Sequence, residues 1–151
     1  MNPTRRQALK TTGALATLVS LGIVTQSQAH AALDRASFEG KTLADALKAV
    51  GGTPANSDQV SVVAPDIAEN GAVVPVGASS KLADTTEIYL LVEKNPTPLA
   101  AGFVLPAGTL GEVQTRLKMG QSTNVIAVVK AGGKLYSATK ETKVTLGGCG
   151  G

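Results

Sequence analysis

The feature that most constrains the fold is an alternation of apolar and polar residues, with a period of two, that begins at Gln59. This period places successive side chains on opposite faces of an extended chain, so it favours β-strands over helices. Seven segments carry the pattern: 59–64, 72–78, 85–93, 100–105, 112–118, 122–131 and 134–146. In the fifth segment, Val113, Thr115 and Leu117 alternate with charged and amide side chains. One apolar and one polar face per strand predicts antiparallel sheets with one solvated side.

The third segment shows the same division between faces. Ile88, Leu90 and Val92 share one face, and Glu87 and Glu93 lie on the other. We therefore expect the inner face of this strand to pack in the core and its outer face to meet water.

Turn residues separate the candidate strands. Gly132-Gly133 lies between the last two segments, and a two-residue glycine connection is typical of a β-hairpin. Asn70-Gly71 and Asn95-Pro96 mark two further turns. Pro75 has no N–H to donate to a neighbouring strand, so it predicts that 72–78 lies at a sheet edge.

A short helix precedes the strands. Leu43, Leu47 and Val50 within 41–50 form one helical stripe, and Gly51-Gly52 is a helix-ending signal. One helix followed by short strands at spacings of roughly 8–12 residues predicts an all-β fold, an immunoglobulin-like antiparallel β-sandwich of about seven strands. Three aromatic residues fall on these strands and are expected to be buried or half-buried: Tyr89, Phe103 and Tyr136.

The scarcity of reactive side chains excludes several function classes. The chain has one histidine, His30, and one cysteine, Cys149. A Cys/His zinc site needs several ligands, and a Ser-His-Asp or Cys-His group needs a usable histidine. One cysteine also cannot form a disulfide framework. We therefore predict no metal site and no catalytic residues.

The first 31 residues have the pattern of an export signal. Arg5, Arg6 and Lys10 precede a weakly apolar stretch, 11–24, that is too short to span a membrane, and Ala29-His30-Ala31 fits a cleavage site. The paired Arg5-Arg6 resembles a twin-arginine signal, although an ordinary secretory signal stays open. We expect residues 1–31 to be removed and the protein to reside in the periplasm.

Removal of this segment changes the charge balance. It takes away three of the 14 basic residues and none of the 11 acidic residues, so the remaining 120 residues have a formal net charge of zero. The sequence pI of about 9.1 is therefore a property of the signal. It indicates neither nucleic-acid binding nor stable membrane association.

The C-terminal tail is the feature that strand packing explains least. Cys149 lies among four glycines, Gly147, Gly148, Gly150 and Gly151, after the last candidate strand. Glycine is costly to order, and free termini are mobile, so residues 147–151 are expected to form a flexible arm with a thiol near its tip. Nothing beside the sulfur hinders its entry into a narrow site of another protein.

Other interpretations of the tail are a structural cysteine, a covalent dimer and a sulfur carrier of the ubiquitin-like type. An odd cysteine in an exported protein suggests intermolecular pairing or a reactive thiol, so a β-sandwich module dimerised by a disulfide stays open. Activation at a terminal Gly-Gly consumes ATP in the cytoplasm, which an export signal argues against. Lys140 and Lys143, which alternate with Glu141 before the tail, are expected to form a solvated face.

Three segments resemble the SoxY family of bacterial thiosulfate oxidation. They are the tail VTLGGCGG at 144–151, the segment PDIAENG at 65–71 with VPV at 74–76, and the segment EKNP at 93–96. The resemblance spans the signal and the chain that follows it. It implies a signal at 1–31, a β-sandwich carrier domain at 32–146 and a sulfur-carrying arm at 147–151.

The resemblance also implies a function and its partners. Cys149 would hold thiosulfate-derived sulfur covalently, with no cofactor and no catalysis by the chain itself. A SoxZ-type subunit would associate with it. A c-type cytochrome complex would load the cysteine, a dimanganese hydrolase would release sulfate, and in some pathways a sulfur dehydrogenase would oxidise the remaining sulfur.

Overall fold

The computed structural model describes residues 35–145, which form a 3₁₀ helix, one α-helix and nine strands. The 3₁₀ helix is Arg35–Glu39 and the α-helix, α1, is Leu43–Val50. The strands are β1 (Ala55–Asn56), β2 (Val60–Val63), β3 (Ile67–Ala68), β4 (Val74–Ser80), β5 (Thr85–Val92), β6 (Leu99–Val104), β7 (Glu112–Leu117), β8 (Thr123–Ala131) and β9 (Lys134–Val144). Each of the seven predicted strands is present, and β1 and β3 are two short additions.

The strands form two sheets that pack face to face. The larger sheet has the order β1-β9-β8-β5-β6, with β3 also on β9, and the smaller has the order β2-β4-β7. Apolar side chains from both sheets form one core cluster between them. This confirms the all-β, immunoglobulin-like sandwich. The pairing is antiparallel as predicted, except that β1 and β3 run parallel to β9.

Capping residues set both ends of the helix, Thr42 at the start and Gly51 at the end. The Thr42 side chain accepts a hydrogen bond from the Asp45 amide at 3.1 Å, and the Asp45 carboxylate accepts one from the Thr42 amide at 3.2 Å. This reciprocal capping box satisfies two amides that the first turn leaves free. Gly51 ends the helix with φ of 119°, a conformation that favours glycine. The predicted helix is confirmed, with a start two residues later.

The predicted hairpin is also confirmed. Gly132 and Gly133 have φ of 54° and 75°, as a two-residue turn between twisted strands requires. Ala131 pairs with Lys134 directly across the turn, and from there β9 pairs with the whole of β8, up to Thr142 opposite Thr123.

The prediction that Pro75 places its strand at a sheet edge was wrong. β4 is the central strand of the smaller sheet and pairs with both β2 and β7. Pro75 is tolerated because β2 stops early: its last pair is Val63 with Gly77, so at Pro75 only β7 lies alongside. The missing N–H therefore costs no hydrogen bond to β2.

The prediction of a solvated outer face was wrong for β5. Tyr89 and Leu91 on that face are buried, together with Val128 on β8, because α1 contacts β5 and covers this part of the larger sheet. Phe103 and Tyr136 are partly buried against the core, so the prediction for the three aromatics is confirmed. Burial, and the hydrogen bond that the Tyr89 hydroxyl donates to the Glu87 carboxylate, raise the pKa of Tyr89.

Candidate functional site

The predicted site residues lie outside the described part of the chain. These are Cys149 with Gly147, Gly148, Gly150 and Gly151 at the C-terminus, and Arg5 and Arg6 at the N-terminus. The structure does describe the point from which the tail departs. We define the arm root as Val144 and Thr145, the end of β9 and the residue that follows it.

The arm root is held from both sides by hydrogen bonds. On the β3 side, the Thr145 amide donates to the Ala68 carbonyl at 3.1 Å. On the β8 side, the Ser122 hydroxyl accepts from the Val144 amide at 2.9 Å. The Thr145 hydroxyl also lies 3.4 Å from the carbonyl oxygens of Ala68 and Glu69. These contacts fix the position of Val144 and Thr145 against the sandwich.

The backbone at Gly71 passes close to Met119 and Val144, and this contact supports the arm root. The Met119 amide donates to the Gly71 carbonyl at 2.7 Å. A Cβ at Gly71 would lie 2.5 Å from the Met119 carbonyl oxygen and 2.8 Å from Cγ1 of Val144, closer than real contacts allow. Only glycine therefore fits between the loop at 119 and the end of β9. The predicted Asn70-Gly71 turn is placed against the arm root by this contact.

The second predicted turn braces the loop that carries Ser122. The Asn95 side-chain amide donates to the Lys118 carbonyl at 2.7 Å, and its oxygen accepts from the Gly120 amide at 3.4 Å. The Lys94 amide donates to the Thr123 hydroxyl at 3.0 Å. Segment 65–71 thus contacts the arm root directly, and segment 93–96 supports it through the loop that carries Ser122.

The expectation of a wholly solvated face before the tail was wrong for Lys140. Its ammonium donates to the Ala64 carbonyl at 2.6 Å and lies 3.0 Å from the Asp66 carboxylate. The Asp66 side chain is 88% exposed, so the ion pair itself contributes little to stability. The hydrogen bond to Ala64 satisfies a carbonyl between β2 and β3, and so helps hold β3 in place. Lys143 and Glu141 are exposed as predicted.

Sequence reasoning did not identify Ser122, Thr145 or Asn95 as supports of the arm root. Their contacts involve main-chain atoms of distant segments, which no local pattern reveals. Residues 35–145 contain no cluster of three or more His, Cys, Asp or Glu side chains placed to hold a metal ion. Within the same range, no helix combines the length and apolarity needed to cross a membrane.

These features define a class: an immunoglobulin-like sandwich whose last strand is braced on both sides where it leads into a cysteine-bearing tail. The family model described as "Sulfur oxidation protein SoxY" matches residues 46–149, and the chain belongs to the SoxY family.

Two solved structures are similar to this chain. The sulfur carrier protein SoxY from Chlorobium limicola f thiosulfatophilum is 38% identical with a TM-score of 0.61, over 68% of this chain and 94% of that chain. A superoxide reductase (neelaredoxin) from Ignicoccus hospitalis is 18% identical with a TM-score of 0.52, over 58% of this chain and 80% of that chain, and shares the fold alone. No curated protein sequence matches the chain.

Proposed function

We propose that this chain is a periplasmic sulfur carrier, which holds thiosulfate-derived sulfur covalently on Cys149 and presents it to partner enzymes. Membership of the SoxY family and the 38% identical SoxY carrier support a sulfur-carrying role in sulfur oxidation. The observation that carries the finer proposal is the arm root, where contacts from β3, from the Gly71 crossing and from Ser122 converge. Cys149 follows Thr145 by four residues, a reach of about 13–14 Å when extended.

The chemistry requires only a thiol from this chain. Joining the Cys149 thiol to thiosulfate forms an S–S bond and releases one proton and two electrons, which the cytochrome complex accepts. Hydrolysis of the terminal S–SO₃ bond then consumes water and leaves a persulfide on the cysteine while sulfate departs. These species belong to the same series as disulfides and oxidised thiols. Catalysis comes from the partners, and the carrier keeps each intermediate covalently bound between them.

The partners of this function follow from the family. We expect a SoxZ-type subunit to bind the carrier, the cytochrome complex to load it and a dimanganese hydrolase to release sulfate. A sulfur dehydrogenase would oxidise the remaining sulfur where the pathway includes one. The formal charge of zero after residue 31 does not favour nucleic acid as a partner.

Mass spectrometry of the protein purified from thiosulfate-grown cells tests the proposal. The C-terminal peptide should carry adducts with different numbers of sulfur atoms, all of them on Cys149. The matched control is Cys149→Ser, which should carry none because the chain has no other thiol. A single stable disulfide-linked homodimer with no other species would contradict the proposal and support a dimerised β-sandwich module instead.

Export by the twin-arginine route is a separate part of the proposal. Replacing both Arg5 and Arg6 by lysine keeps the positive charge of the signal but removes the paired guanidinium groups. We expect the precursor of this variant to remain in the cytoplasmic fraction. Normal export of the double lysine variant would show that an ordinary secretory signal is at work.

A further inference from the structure

Two exposed lysines lie next to the arm root, on its β8 side. Lys94 follows β5 and Lys118 follows β7. The Asn95 side-chain amide joins the two loops by donating to the Lys118 carbonyl at 2.7 Å. Ser122, four residues after Lys118, accepts from the Val144 amide at 2.9 Å, so this surface begins at the arm root. We call the two lysines the basic pair.

The charge of the basic pair is not neutralised by the described chain. Residues 35–145 form two ion pairs, and both use other lysines. Arg116 on β7 is also exposed and adds a third cation to this side. Glu93 and Glu141 lie at Asn124, on the outer face of the larger sheet, where the Glu93 carboxylate accepts a hydrogen bond at 2.8 Å. Three cations against two carboxylates leave the β8 side basic.

The β3 side of the arm root differs, because its charges balance. Asp66 and Glu69 lie there together with Lys140 and Lys143 of β9. Lys140 is also paired with Asp66, at 3.0 Å. The net positive charge at the arm root is therefore concentrated on the β8 side. An acidic protein surface is attracted to that side alone, so charge specifies the direction from which it approaches.

The surface around the basic pair is open and polar. Pro96, Gly120 and Gln121 are exposed beside it. Neither lysine lines the groove on the smaller sheet, the groove on the β3 side or the groove at the opposite end of the sandwich. A small ligand usually binds in a concave site with converging polar groups, so the open surface favours a macromolecular contact. Interfaces that form and separate repeatedly are smaller and more polar than permanent ones.

We infer that the basic pair is a docking contact for the enzymes that act on the tail, and that the rim of their active-site entrance is acidic. The inference rests on the proposed carrier function. An enzyme seated on the β8 side lies beside the arm root, from which Cys149 has a reach of about 13–14 Å. The charge of the pair does not depend on the sulfur that the cysteine holds. One surface can therefore serve each enzyme in turn.

Charge reversal at the basic pair tests the inference. The carrier is the mature chain with its partner subunit, carrying Cys149→Ser, and the probe is the cytochrome complex that loads it. Lys94→Glu combined with Lys118→Glu should slow association at least about tenfold at low ionic strength, and the difference should shrink as salt is added. Surface plasmon resonance measures the association rate constant.

These substitutions should leave the fold intact. The hydrogen bonds that hold the two loops are made by the main chain of both lysines, through the Lys94 amide and the Lys118 carbonyl. Both side chains are exposed, so their replacement should change stability little. Thermal unfolding of the double variant checks this.

The matched control reverses two exposed lysines at the opposite end of the sandwich, where the glycine hairpin at 132–133 lies. Lys81 follows β4, and Lys134 is ten residues from Val144 along β9, roughly 33 Å. Lys81→Glu combined with Lys134→Glu produces the same net charge as the test variant. The distance exceeds the Debye length of about 8–10 Å, so association should stay within about twofold of the parent rate.

Several results would overturn the inference. They are equal slowing of the two double variants, no slowing in either, and a parent carrier that does not associate with the cytochrome complex. A fourth is loss of thiosulfate binding to the carrier, measured by calorimetry, in the Lys94 and Lys118 variant with unchanged enzyme association, because that result identifies a small-anion site.

The carrier function is tested separately. Association is measured without a thiol at position 149, so it involves no sulfur chemistry. A carrier that associates through the basic pair but has no sulfur adducts on Cys149 in cells would contradict the proposed function and leave the docking contact in place.

Discussion

The two ends of the sandwich are closed in different ways. At the far end, the chain reverses in local turns, the glycine hairpin at 132–133 and a turn in which the Thr109 amide donates to the Pro106 carbonyl at 3.2 Å. Distant segments are joined there too, by the Gly132 amide, which donates to the Asp84 carbonyl at 3.3 Å, and by the Thr86 hydroxyl, which donates to the Lys130 carbonyl at 3.2 Å. At the arm end, side chains tie together loops that are distant in sequence. Lys94 and Thr123 are 29 residues apart, and Ser122 and Val144 are 22 apart.

The difference in hydrogen bonding indicates a different structural role for each end. A local turn at the far end needs only a residue that tolerates its backbone conformation, and the bonds that join it to other segments hold loops that lead only from one strand to the next. Cross-loop hydrogen bonds fix the position of one segment against another, and here the segment is the arm root. Substitutions at the arm end should therefore alter the handling of sulfur, whereas equally severe substitutions at the far end should alter stability alone.

The largest expected effect is at the tip of the arm. Cys149→Ser removes the only thiol of the chain, so thiosulfate oxidation in a reconstituted system should fall to background. The free energy of unfolding should change by no more than about 0.5 kcal/mol, as for other substitutions outside the core. Leu110→Ser at the far end is the control and should keep both turnover and stability. Retained turnover in Cys149→Ser would show that sulfur is attached elsewhere.

The next effect concerns the glycines beside the cysteine. If partner sites admit a bare backbone, Gly148→Val and Gly150→Val should slow loading by the cytochrome complex, because a branched side chain that does not fit costs about 1–3 kcal/mol, or roughly 5- to 150-fold. Alkylation by a small reagent should stay near the parent rate, since the thiol remains accessible. Loading of both variants at the parent rate would show that the glycines are only a tether.

A matched pair of glycines compares the two ends directly. A Cβ at Gly71 would lie 2.5 Å from the Met119 carbonyl oxygen, and one at Gly111 would lie 2.7 Å from the Ser80 carbonyl oxygen. Both Gly71→Ala and Gly111→Ala should therefore destabilise the fold by about 1–3 kcal/mol in denaturant titrations. Gly120→Ala, which meets nothing within 4 Å, should be close to neutral.

Only the first of these variants should affect sulfur loading. Measured per folded molecule, Gly71→Ala should load more slowly because it displaces Val144, and Gly111→Ala should load at the parent rate. Equal loading of the two variants would remove the functional distinction between the ends.

A smaller effect is expected from single hydroxyl groups. Ser122→Ala deletes the acceptor of the Val144 amide and should cost about 1 kcal/mol, with faster hydrogen exchange at that amide. Thr85→Val at the far end deletes the hydrogen bonds of the Thr85 hydroxyl with the Leu82 carbonyl and the Ser80 hydroxyl, both at 2.9 Å, and should cost at least a similar amount. Exchange at Val144 should not change in this control. Faster exchange at Val144 in both variants would indicate that the two ends unfold together.

The smallest expected effect is on the stability of α1, which lies away from both ends of the sandwich. The hydrogen bond from the Thr42 hydroxyl lowers the pKa of Asp45 below its ordinary value. A carboxylate with a lowered pKa in the folded state stabilises the helix above its unfolded pKa, and this contribution is lost as pH falls through the folded value. Protection of the Ala46 amide, measured as its exchange rate relative to the intrinsic rate at each pH, should therefore fall in acid. Asp45→Asn should show a flatter pH dependence, and an unchanged pH dependence would contradict this role.

Local patterns predicted most of the fold. Candidate strand 122–131 became Thr123–Ala131, and 134–146 became Lys134–Val144, because alternation and the glycine hairpin act over a few residues. The same patterns missed β1 and β3, each of two residues, since both depend on an unpaired edge of β9. They also misplaced Pro75, whose tolerance depends on where a different strand ends.

The candidate site was predicted in part. Cys149 and its glycines were identified by composition and position, and they lie outside the described residues. The supports of the arm root were not identified, because a serine or a threonine at 122 or 145 is common at any position. Asn70-Gly71 and Asn95-Pro96 were predicted as turns, but the placement of the first against β9 and of the second against the loop at 118–120 is a property of the whole sandwich.

The length of β9 has a mechanical consequence. Nine of its 11 residues, Lys134 to Thr142, pair with β8, and β1 and β3 add parallel contacts on its other edge. When a partner pulls the tail along the axis of this strand, the load acts on the hydrogen-bond ladder in shear. Many bonds then resist together, whereas a pull across the sheet would peel them one at a time. The tail therefore continues from β9, and the hydrogen bonds of β9 to its neighbours together resist a pull along the strand.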